Sequence, residues 1–135
     1  MQNRYLVFWL INAALTLSIA TSSCSKNAED IAAPSITITK PTENDTIQLK
    51  NGVITIELLA KDRVRINDME MSIEDKLGTV LYTYDKDDIE DISYTCHELF
   101  SPIGLTKVTQ MKLTATFSNE YKNWITKRIT FYVKP

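Results

Sequence analysis

Ile54-Thr55-Ile56-Glu57-Leu58-Leu59-Ala60 sets Ile54, Ile56, Leu58 and Ala60 on one parity and Thr55 and Glu57 on the other. Successive side chains of an extended chain point to opposite faces, so this spacing predicts a strand with one face in a core and one in water. The pattern recurs in both directions. Upstream, Ile36 and Ile38 alternate with Thr37 and Thr39 before Pro41, which cannot donate to a ladder and marks a short strand near a sheet edge. Thr42-Glu43-Asn44-Asp45 and Lys50-Asn51-Gly52 read as turns.

Downstream, Met69, Met71 and Ile73 alternate with Glu70, Ser72 and Glu74. Glu74-Asp75-Lys76-Leu77-Gly78 then turns the chain into Thr79-Val80-Leu81-Tyr82-Thr83-Tyr84, with Gly78 suited to the positive φ of a hairpin. The acidic stretch Asp85 to Asp91 is expected to leave the sheet, and Ile92-Ser93-Tyr94-Thr95-Cys96 to re-enter it. Ser101-Pro102-Ile103-Gly104 breaks order again. Met111, Leu113, Ala115 and Phe117 form the next apolar row, Ser118 to Asn123 a polar turn, and Ile129, Phe131 and Val133 the last row. No segment shows sustained helical periodicity. About seven short strands over roughly 100 residues predict an all-β, immunoglobulin-like β-sandwich in a single domain, residues 34–135.

Three stretches carry a family resemblance. Pro34-Ser35-Ile36-Thr37-Ile38-Thr39-Lys40-Pro41, Gly52-Val53-Ile54-Thr55-Ile56 with Ala60-Lys61-Asp62, and Leu113-Thr114-Ala115-Thr116 with Ile129-Thr130-Phe131-Tyr132-Val133 resemble bacterial immunoglobulin-like domains. That resemblance implies a Pro-anchored first strand, an Asp closing the second and a last hairpin ending in aromatic-Val. It departs at the last turn, where Tyr121-Lys122-Asn123 replaces the Gly-Asn frequent in such domains. It implies fold more than function.

The N-terminus reads as an address. One charge, Arg4, precedes an uncharged run from Tyr5 to Ser25, the form of an export signal. Ala20-Thr21-Ser22-Ser23 ahead of Cys24 resembles a lipoprotein signal, which implies acylation at Cys24. Residues 1–23 are then a lipoprotein signal peptide and residues 24–33 a flexible tether. Thr21 stands where such signals usually carry Leu, so cleavage after Ala20, releasing a soluble protein, is the alternative. The expected location is the cell envelope, at the outer membrane, held by lipid.

Fifteen Lys and Arg face seventeen Asp and Glu, a mild balance without the concentrated basic face that nucleic acid requires. Lipid on Cys24 leaves Cys96 without an intrachain partner, and Cys96 reads as a buried small hydrophobe. Cys96-His97-Glu98 offers a thiol, an imidazole and a carboxylate in succession. Neighbours on a strand diverge, so an exposed loop beside a core cysteine is the expected reading, and no enzyme is predicted. Asp85, Asp87, Asp88, Glu90 and Asp91 could furnish oxygens for calcium, which takes about six to eight; a solvated acidic loop is the plainer reading. Tyr121 and Trp124 are a possible ligand platform, although packing of Trp124 in the core or at its rim is favoured. The expected function is a lipid-anchored binding or accessory module for a protein or glycan partner. The alternative is a calcium- or ligand-responsive module using residues 85–91.

Overall fold

The structure is a computed structural model and describes residues 32–49 and 51–135. The predicted signal peptide, Cys24 and most of the predicted tether lie outside the described residues. Seven strands follow in order: β1 (Ser35–Lys40), β2 (Thr46–Gln48), β3 (Ile54–Asp75), β4 (Val80–Lys86), β5 (Asp91–Phe100), β6 (Thr109–Asn119) and β7 (Trp124–Lys134). The fold is the expected all-β immunoglobulin-like sandwich.

β3 organises the two layers. Its first half pairs antiparallel with β1 on one side and β5 on the other, Leu58 lying opposite both Ile38 and Cys96. Its second half pairs with β4 and β6, Met71 lying opposite Tyr84 and Ala115. Between Lys61 and Ile66 the register shifts and the strand passes from one layer to the other. Here the Asp62 carboxylate accepts the Arg63 and Val64 amides at 2.5 and 3.4 Å. Two strands read separately in the sequence are thus one 22-residue strand with a corner. β6 pairs with β7, and β2 adds to β7 in parallel. β2 falls between the two predicted turns and had no counterpart among the expected strands.

The core is the sum of the inward rows. Ile54, Ile56, Leu58 and Ala60 with Ile36, Ile38, Cys96 and Phe100 face Met69, Met71, Ile73, Leu113, Phe117 and Phe131, all buried. Each apolar side chain of this size contributes about 1.5–3 kcal/mol by leaving water.

The corner defines one pole of the sandwich. Asn119, fully buried, lies there and uses its amide in both senses. Its Nδ2 donates to Asp62 Oδ2 at 3.1 Å and to the Ala32 carbonyl at 3.2 Å, while its Oδ1 accepts the amides of Tyr121 and Asn123 at 3.1 Å each. One side chain therefore ties the incoming chain, the corner and the β6–β7 turn. Beside it, Asp68 accepts from Asn67, Ser118 and Lys122, hydrogen bonds that hold its carboxyl below the ordinary range with Asn67 the largest cause.

Candidate binding groove

The opposite pole is apolar. β3 starts and ends there, Ile54 lying opposite Phe100 and Asp75 opposite Met111. Eight residues of strand separate Ile54 from Asp62, about 26 Å at strand rise. The Asp75 carboxylate accepts the Leu77 and Thr79 amides at 2.8 and 2.9 Å, and Gly78 turns the chain at φ 83°. The hairpin predicted from Gly78 forms as expected. These amides, that of Thr79 first, hold the Asp75 carboxyl below its usual value.

Between this turn and the 101–108 connection lies a groove of about 320 Å³. Leu81, Phe100, Pro102, Ile103, Leu105 and Met111 supply its apolar wall, with polar atoms from Asp75, Ser101 and Thr109. Its volume is at the lower end of small-ligand sites, about 300–1,000 Å³. Its rim is unusual for a surface. Of its lining residues Ile103 is 94% exposed and Leu81 also exposed, and Leu77, Val80, Leu99 and Val108, which do not line it, are exposed at nearby sequence positions. Scattered exposed aliphatics are ordinary, whereas exposed aliphatics beside a concavity make it a candidate binding surface.

Tyrosines close the side of the sandwich between β4 and β5. The Tyr82 hydroxyl donates to Glu98 Oε2 at 3.1 Å, the Tyr84 and Tyr94 hydroxyls share a hydrogen bond of 3.3 Å, and the Tyr82 and Phe100 rings lie 5.6 Å apart. Burial, and then the Glu98 acceptor, push the Tyr82 phenol up to about 12. Burial and Tyr84 raise Tyr94 in the same direction.

The residues singled out in the sequence are dispersed. Cys96 is a buried free thiol on the inner face of β5, and burial pushes it up to about 12, the reverse of what a nucleophilic thiolate needs. His97 points to the other face, its Nε2 3.9 Å from Glu57 Oε1. His97 and Glu98 belong to a strand, which corrects the expected loop: β5 runs on to Phe100. Asp85 lies on β4 and Asp91 begins β5, leaving a short connection in which Asp87, Asp88 and Glu90 are exposed and Ile89 is half-buried. Its backbone is pinned by the Ile89 amide donating to the Asn67 carbonyl at 3.0 Å. Among the described residues no three His, Cys, Asp or Glu side chains come together as a metal site. Tyr121 and Trp124 lie at the corner pole, 53% and 47% exposed. Trp124 opens β7 opposite Ser118 and does not enter the core. Cys24 lies outside the described residues.

The groove itself was not singled out from the sequence. Its signal was the cluster Leu77, Val80, Leu81, Ile103 and Leu105 in and beside turn segments, where polar residues are the rule.

No family model matches the chain and no curated protein matches it in sequence. Similar solved structures include the periplasmic chaperone SfaE, with a TM-score of 0.51, 8% identity, and coverage of 75% of this chain and 57% of the chaperone chain. An engineered protein from a structural genomics consortium aligns with a TM-score of 0.49 and 18% identity, over 75% of this chain and 20% of its own. The chain thus spans 57% and 20% of the lengths of these two structures. At 8% identity, the likeness to the chaperone is one of fold.

Proposed function

We propose that this chain is a non-enzymatic, envelope-anchored immunoglobulin-like module that binds a partner through the groove between the β3–β4 turn and the 101–108 connection. The observation that carries the reading is the groove itself, an apolar concavity of about 320 Å³ whose rim residue Ile103 is 94% exposed. A rim so exposed costs solubility unless it is covered in use. The position of the groove supports an anchored role. Among the described residues Ala32 bonds at the corner pole, the pole opposite the groove. A protein or glycan partner on the far side of the module is then accessible.

Divergence of Cys96 and His97 across β5, with the Cys96 thiol pushed up to about 12, supports the non-enzymatic reading. Mass spectrometry of the membrane form tests the anchor: an acylated N-terminus at Cys24 is expected, and one at Thr21 or an intact Met1 removes it. A photoreactive amino acid at Ile103, compared with one at Thr114 on the outer face of β6, tests the groove in intact cells. A discrete adduct at position 103 alone is expected. Equal labelling at both positions, or none at either, rejects the groove as the binding site.

A further inference from the structure

We propose that the open edge of β5, continuous with the groove, accepts an extended cationic segment of a partner protein as an added strand. This rests on the groove being the binding site and names what fills it.

The sandwich has four edge strands, and three of them are blunted. β1 has six residues, a register shift between Ile38 and Lys40, and Pro41 at its end. β2 has three residues. β4 has seven, with a register shift where it starts opposite Glu74 and charged Asp85 and Lys86 at its end. β5 differs. It has ten residues, holds an unbroken register from Ser93 to Phe100 against Lys61 to Ile54, and contains no Pro, Lys or Arg. Among the described residues it pairs with β3 alone. Sheet edges left unpaired, long and without Lys, Pro or bulge template another strand, and main-chain pairing with one anchored side chain is a recurrent way to bind a peptide.

Charge selects the occupant. Residues 70–91 carry eight carboxylates against two lysines, whereas the rest of residues 32–135 carries seven carboxylates against eleven Lys and Arg. Residues 70–91, which include β4 and the connection into β5, are thus net −6 and the remainder net +4. Of those eight carboxylates, only Glu74 forms an ion pair among the described residues, with Lys112 at 2.6 Å. Glu70 and Asp85 lie directly opposite each other, a like-charge pairing that costs stability. Pairing β5 with β5 of a second copy would bring two such stretches together. A cationic segment carries no such cost.

The ends of β5 set the pattern of the ligand. Asp91 adjoins the acidic connection, and Phe100 lines the groove. Nine steps of strand separate them, about 30 Å. An antiparallel partner therefore places an apolar side chain in the groove near its N-terminal end and Lys or Arg beside residues 85–91 near its C-terminal end.

The test uses the purified protein and an extended peptide of about nine residues with Leu near its N-terminus, alternating Val and Thr, and Lys-Lys at its C-terminus. Three control peptides carry Glu-Glu in place of Lys-Lys, or N-methyl groups on alternate amides in one register or the other. Hydrogen exchange is followed over residues 91–100. The lysine peptide is expected to slow exchange there, with affinity falling about tenfold in the exposed charge reversal Asp87→Lys/Asp88→Lys. The glutamate peptide and one of the two N-methylated registers are expected not to bind. Equal binding of all the peptides, or protection outside β5, overturns strand addition. Protection that rises with protein concentration without peptide assigns the edge to a second copy instead. An adduct at Ile103 without β5 protection by the lysine peptide leaves the groove reading standing and removes this one, and a protease-resistant adduct assigns the groove to a glycan. No adduct and no protection removes both.

Discussion

Asn119→Ala is expected to be among the most damaging single changes, although the residue begins a turn. Its side chain is fully buried and makes four hydrogen bonds. Truncation removes one hydrogen bond each from the Tyr121 and Asn123 amides, the Ala32 carbonyl and the Asp62 carboxylate. At about 1 kcal/mol per lost bond, with partial rescue by water, the loss is about 3–4 kcal/mol. Against a typical total of about 5–15 kcal/mol that is a large share, and for a domain of this size it lowers Tm by roughly 15–25 °C. Asn119→Asp separates the two halves of the argument. It keeps both acceptor bonds but sets a second carboxylate against Asp62, so at pH 7 it should be at least as damaging as the alanine. Below about pH 4, where a carboxyl regains its proton, an O–H can again donate and the aspartate variant should overtake the alanine. Urea melts followed by far-ultraviolet circular dichroism at pH 7 and pH 4 read both effects. An alanine variant within about 0.5 kcal/mol of the parent, or an aspartate variant with no gain relative to alanine in acid, would refute the reasoning.

Phe117→Ala, at a fully buried ring opposite Met69 on β3, should cost about 3–5 kcal/mol by the same melts. Cys96 should resist iodoacetamide in the folded protein and react on unfolding, because the thiol is buried and pushed up to about 12; labelling at equal rates in both states would contradict its position. Asp45, Asp68 and Asp75 have depressed folded values, so their contribution is present above the unfolded value near 3.8 and disappears as pH falls through the folded ones, giving a stability that declines below about pH 4. Tyr82 has the opposite sign. Its contribution is complete below the ordinary phenol value of 10.0 and lost as pH rises through about 12, which absorbance at 295 nm should show as a late phase that Glu98→Gln moves earlier.

The strands were legible where one parity was wholly apolar. Ile54 to Ala60, Met111 to Phe117 and Ile129 to Val133 all lie as their alternation demands. β2 was not legible, since three residues define no period and its parallel partner is almost ninety residues away. The corner was hidden because Asp62, Arg63 and Arg65 put charge on both parities around a lone Val64, which reads as a loop and is instead a strand changing layers. The far half of β5 was masked by Glu98, an inward carboxylate whose partner, the Tyr82 hydroxyl, sits on another strand. Asn119 misled for the same reason: its four partners come from residues 32, 62, 121 and 123. Local pattern reports solvent preference, whereas satisfaction of a buried polar group is a property of the assembled fold. The groove's aliphatics were visible in the sequence, but only folding gathers them at one pole.

The passage of β3 through both layers has a mechanical consequence. A pull between Ala32 at the corner pole and a segment held along β5 and the groove runs parallel to the strands. β1 would have to slide along β3, and the held segment along β5, so the ladder bonds bear load together instead of peeling one by one. Because β3 pairs with β1, β4, β5 and β6, force entering one layer reaches the other through a single covalent backbone. Resistance under load is set by the unfolding rate and not by equilibrium stability, and this geometry makes a slow rate the expected property of the sandwich when it is loaded between Ala32 and β5.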